Sequence, residues 1–122
     1  MQLEHAERKR DLRLRRRILN LLHAARSRPE FGWADGRFVF DMVNSVTPAA
    51  NQQLQDDAHC LGLLRDLVAA GYVEHRDQRV RTHEREGLDS SVYRITARGT
   101  ALVEEHIDPD PLVDDDRVRG RR

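Results

Sequence analysis

Between Asn51 and Cys60 the chain reads NQQLQDDAHC, and four of these side chains can exchange hydrogen bonds in pairs. Asn51, Gln52 and Gln55 each carry an amide, which sets a donor beside an acceptor, and the His59 ring can serve as either. The major-groove edge of adenine offers the complementary pair, so amides on an exposed helix suit base reading. Arginines supply a second chemistry. Arg76, Arg79, Arg81 and Arg85 follow closely on one another, and the planar guanidinium fork matches phosphate oxygens. His59 and Cys60 do not add up to a metal site, because neighbours on a helix point about 100° apart. The other histidines, His5, His23, His75, His83 and His106, are scattered. No glycine-rich phosphate loop, nucleophile elbow or HExxH motif occurs, so the sequence predicts no enzyme, no cofactor and no metal.

The elements that hold these residues can be read from periodicity. Leu14, Ile18, Leu21, Leu22 and Ala25 recur at three- and four-residue steps and predict a first helix, whose turns before Leu12 project from the body. Pro29, Gly32 and Gly36 break it, and Phe31 and Trp33 pin that loop to the core. Asp35 caps a second helix that runs to Val46, with Phe38, Val39, Met42 and Val43 on its apolar side. Thr47 and Pro48 read as a capping hydroxyl followed by proline at the first helical position. A third helix over about 48–70 is therefore expected, ended by Gly71. With Leu54, Ala58, Leu61, Leu64 and Val68 inward, Gln52, Gln55 and His59 point out and Asn51 stands at the boundary. Tyr72–Val80 and Ser91–Ile95 form the strands of a hairpin with a polar tip, and Thr96 caps a last helix carrying Ala101, Leu102 and Val103.

Composition bounds the class. The 122 residues, 39% hydrophobic and 34% charged, suit one soluble domain with a modest core. No apolar run approaches the roughly 18–20 residues that span a bilayer. The single cysteine, Cys60, excludes an internal disulfide and reads as a buried small hydrophobe; with no export signal, this predicts a cytoplasmic protein. The 21 basic and 21 acidic residues balance, but unevenly along the chain. The first 26 residues hold eight basic residues against three acids, Glu104–Asp116 holds seven acids and no base, and RVRGRR follows. Pro48–His75 holds one basic residue, Arg65, and four acids, Asp56, Asp57, Asp66 and Glu74. Phosphate contacts are therefore expected from the hairpin and the first helix. Residues 107–122 are expected to form a disordered, acidic-then-basic tail on a domain of residues 1–106.

Two motifs fix the order helix, helix, helix, hairpin, helix more closely. LGLLRDLVAAGYVEHR (61–76) resembles the end of a recognition helix entering the first wing strand of a winged-helix domain. YRITARGTALVEE (93–105) is similar to the second wing strand, threonine cap and final helix of that fold. The likeness, over roughly Leu12–Glu105, is to small bacterial and phage regulators of the MarR and PadR type. It implies an α+β winged helix-turn-helix with three helices, a β-hairpin wing and a C-terminal helix. It also implies a transcriptional regulator on double-stranded DNA, with helix 48–70 in the major groove and wing 72–96 on the backbone or minor groove. Such a regulator pairs as a homodimer, through the first and last helices. The alternative is a winged-helix interaction module that docks on another protein, such as a phage or assembly subunit.

Overall fold

The structure is a computed structural model that describes residues 2–28, 32–77 and 91–114. Helix α1 (Gln2–Arg26) is the centre of the packing, touching every later helix and the sheet. Contact on several sides widens its buried face beyond one stripe, which is why Leu19 joins Leu14, Ile18, Leu22 and Ala25 inside while Leu21 is only half buried. Residues 4–9 are exposed, as the loss of periodicity before Leu12 predicts.

Strand β1 (Ala34–Asp35) is short and was not expected. Its second residue then caps α2 (Gly36–Ser45): the Asp35 carboxylate accepts from the Phe38 N–H at 2.7 Å, in agreement with the sequence. Val39 and Val43 enter the core. Met42, read as part of the apolar side, is exposed.

The third helix corrects the expectation. Helix α3 spans Asp57–Ala69, not 48–70. Residues 47–56 hold only a 3₁₀ turn at Ala50–Gln52, because side chains take the backbone groups a helix would use. Thr47 does not cap forward. It is buried, its hydroxyl donates back to the Val43 carbonyl at 2.7 Å, and it accepts from Arg17. Asn44 grips Leu54 twice, donating to its carbonyl at 3.0 Å and accepting from its N–H at 2.8 Å. The Gln53 amide donates to the Thr47 carbonyl at 2.7 Å. The true cap is Asp56, whose carboxylate accepts from the His59 N–H at 2.8 Å.

This shifts the helical phase. Cys60, Leu63, Leu64 and Leu67 face inward, Leu61 and Val68 are half buried, Ala58 is exposed, and Leu54 is buried from the loop rather than from the helix. Each fully buried leucine contributes on the order of 1.5–3 kcal/mol of hydrophobic stabilisation. Gly71 ends α3 as expected: at φ 86° it allows the Gly71 and Tyr72 N–H groups to cap Val68 and Leu67.

Strands β2 (Val73–Asp77) and β3 (Ser91–Ile95) pair antiparallel, Val73 opposite Ile95 and Asp77 opposite Ser91. Strand β1 joins the free edge of β3, giving the order β1-β3-β2. Helix α4 (Ala97–Val103) starts at Thr96, whose hydroxyl accepts from Gly99 N–H at 3.0 Å and donates to the Gly71 carbonyl at 2.7 Å.

The segment after α4 differs from the expected disordered tail as far as Asp114. Val113 is buried in the core, and Ile107 and Leu112 pack against it. The Tyr72 hydroxyl donates to Asp110, Arg15 donates to the Leu112 carbonyl at 3.1 Å, and the Asp114 N–H reaches the Leu12 carbonyl at 3.2 Å. Asp110, expected in a disordered tail, thus meets Tyr72 at the entry to β2, and the backbone of Asp114 meets α1. Residues 115–122 lie outside the described residues.

Candidate nucleic-acid interface

The 3₁₀ turn brings one of the amides, Gln52, to α1. Asn51 is exposed, and half-buried Gln52 accepts from Arg13 at 3.2 Å. Arg13 and Lys9, four residues apart, share one exposed side of α1. Gln55 is exposed just before the α3 cap. The Arg13–Gln52 bond therefore joins the exposed cation side of α1 to the loop that carries Asn51 and Gln55. The α1 cations were visible in the sequence only as part of a mixed charge run; nothing local tied them to residues about forty positions away.

His59 is held elsewhere. Its Nε2 lies 2.8 Å from Asp11, and its Nδ1 accepts from the Gln55 N–H at 3.2 Å. An accepting Nδ1 places the ring proton on Nε2, which then donates to Asp11; this tautomer follows from the hydrogen-bond pattern. Arg10 lies 3.2 Å from the same carboxylate oxygen. The ring joins α1 to the start of α3, so it reads a base only by giving up these bonds. The outward residues of α3 are Ala58, Gly62, Arg65 and Ala69.

The net acidity of 48–75 is answered from outside the segment. Arg37 pairs with Asp57 at 2.8 Å, Arg15 with Asp66 at 2.7 Å, and Arg94 makes a forked contact with Glu74. Three of the four acids thus have arginine partners from other elements. The pairs are 20 to 51 residues apart in sequence, beyond any local signal.

At the hairpin, Arg76 is exposed and its guanidinium stands 4.3 Å from the Trp33 ring centre, as does that of Arg94. Cation–π contact holds each planar group flat without consuming its charge. Trp33, expected to pin its loop to the core, instead lies half buried against these two strand residues and outside the core cluster. Arg79, Arg81, Arg85 and Phe31 lie outside the described residues.

Other chemistry is sparse. Cys60 is fully buried, and burial, with the nearby Asp57 charge, pushes its thiol up to about 12, so it stays protonated and unreactive. Among the described residues no group of three His, Cys, Asp or Glu side chains could hold a metal. Among those residues no helix is long and apolar enough to cross a membrane. Leu102, expected to face a second copy, is buried in its own core, and Val103 is half buried.

Compared with known protein families, curated proteins and solved structures, the chain matches none.

Proposed function

We propose that this chain is a winged-helix regulator of transcription that binds double-stranded DNA. The observation that carries the reading is the Arg13–Gln52 bond, which sets an exposed cation of α1 beside a half-buried amide of the loop before α3. In this reading Lys9, Arg13 and Arg65 meet phosphates, and Asn51, Gln52 and Gln55 lie nearest the base edges. Arg76 at the base of the wing, with Arg79, Arg81 and Arg85 beyond it, reaches the backbone or the adjacent minor groove. The arginine partners of Asp57, Asp66 and Glu74 support the reading, since they weaken the repulsion those acids would exert on DNA. A domain of this size covers one half-site, so the regulator acts as two copies on a two-fold site in the prokaryotic or phage cytoplasm.

The test is salt. Affinity for duplex should fall log-linearly with salt, at a slope of about −0.9 per phosphate neutralised. Arg13→Ala and Arg76→Ala should each weaken all duplexes alike and flatten the slope by up to about one unit. Gln55→Ala should lower specific binding only. Absence of duplex binding at low salt defeats the reading.

A second reading has its own observation. The outward side of α3 offers Ala58, Gly62 and Ala69 around a single cation, Arg65, and no amide within the helix itself. A helix so furnished suits docking on another protein better than reading a groove. An interaction module of this kind would leave duplex DNA unbound at every salt.

A further inference from the structure

The described residues include two exposed large hydrophobic side chains, Met42 at 39% and Val46 at 63% exposure, and both lie on α2 or its C-cap. With half-buried Phe38 they repeat every four residues, so they form one stripe along the helix. Beside the stripe runs an open groove of about 380 Å³ between α2 and the last turns of α1, lined by Leu21, Ala24, Ala25, Arg28, Phe38 and Met42. The alanines keep its floor low. One face therefore carries both a ridge and a hollow of matching apolar chemistry.

A two-fold contact between identical chains requires such a face: whatever one copy inserts, it must also receive. The charges at the rims obey the same condition. Arg28, on the α1 side, has no ion pair among the described residues. Asp41, on the α2 side, is largely exposed and, among the described residues, is paired with Arg37 alone, at 3.6 Å along its own helix. Rims of opposite sign repel a copy set in parallel on like charge and attract one turned by a half rotation. A duplex or an acidic peptide has no use for both signs. Since Leu102 is buried in its own core, α4 offers no comparable apolar ridge.

We propose that the α1–α2 face is a homodimer interface. Met42 and Val46 of each copy enter the groove of the other, and Asp41 of each faces Arg28 of the second copy. The need for two copies rests on the regulator reading; the interface and its test do not.

The experiment is sedimentation of the full chain from about 5 to 200 μM, without DNA, with circular dichroism to confirm that each variant is folded. The natural sequence should dimerise. Met42→Glu should weaken association at least about tenfold, because it buries a charge in an apolar groove, whereas Met42→Leu should keep it. Arg28→Asp alone and Asp41→Arg alone should each weaken it, and the two together should restore it to within about threefold. A monomer at 200 μM overturns the proposal. So does a dimer untouched by Met42→Glu, or a double reversal that fails to recover. A dimer that behaves as expected but ignores duplex DNA leaves this interface standing and removes only the regulator reading.

Discussion

Two threonines carry the same written signal and do opposite things. Thr47 stands before Pro48 and Thr96 before ARG, each a hydroxyl placed where a helix can begin. At Thr96 the hydroxyl accepts from Gly99 N–H and a helix follows. At Thr47 the hydroxyl turns back to Val43, and the next nine residues are held by Asn44 and Gln53 instead. Thr47 is almost wholly buried between α1 and α2, with Arg17 taking its lone pair, while Thr96 lies at the sheet end where its oxygen is available. A cap is thus a competition for one oxygen, and the environment decides which bidder wins.

The sharpest way to break the Thr96 side is Gly99→Ala. A Cβ there would stand 2.2 Å from the Tyr72 carbonyl oxygen and 2.7 Å from Ile95, and the first is backbone that cannot swing away. The substitution should cost on the order of 3 kcal/mol or more, as overpacking at a rigid contact does, read as a lowered denaturation midpoint with an unchanged slope. On the Thr47 side the equivalent is Asn44→Ala, which strands both backbone groups of Leu54 in a partly buried site. A loss of about 1–3 kcal/mol is expected, together with faster amide exchange at Leu54. Wild-type stability in either variant would show that the corresponding segment is held by something else.

Thr96→Ala should be milder, about 1 kcal/mol, the usual value of a lost N-cap. If the Asn44 and Gln53 bonds suffice to keep residues 48–56 irregular, Thr47→Val should not extend α3 toward Pro48; added helix by circular dichroism would show that they do not. The smallest effect concerns pH. The Tyr72 hydroxyl bond holds the Asp110 carboxyl below its usual range, against the opposing effect of its partial burial. A carboxylate lowered by folding stabilises above its unfolded value, about 3.9, and that contribution is lost as pH falls through the folded one. Residues 107–114 should therefore loosen in acid, seen as shifts of the Tyr72 ring resonances below about pH 4, and Asp110→Asn should remove that step.

How much the sequence told depends on how local the cause was. The α1 stripe, the Asp35 and Thr96 caps, the Gly71 stop and the hairpin pairing each depend on neighbours within about five residues or on simple alternation, and all were legible. The start of α3 was not, because Asn44, Gln53 and Thr47 act together through folded contacts that periodicity does not record. That error also put Gln52 and Gln55 on a helix when they belong to the loop before it, and left His59 looking free although Asp11, 48 residues earlier, holds it. The docking of Val113 was hidden for a different reason: prolines and acids mark a segment as unable to form regular structure, and an irregular segment can still bury one valine.

The lone cysteine gives the molecule a clock. Thiol reagents attack the thiolate, and Cys60 is both sealed from solvent and held protonated to about 12. A labelling reagent can therefore reach it only when α3 comes away from the core that covers it. The rate of modification, divided by that of a free thiol, counts the fraction of time the core around α3 spends open, and it does so without any engineered probe. Followed while DNA is added or protein concentration is raised, the same rate would report whether either event clamps α3 onto the core.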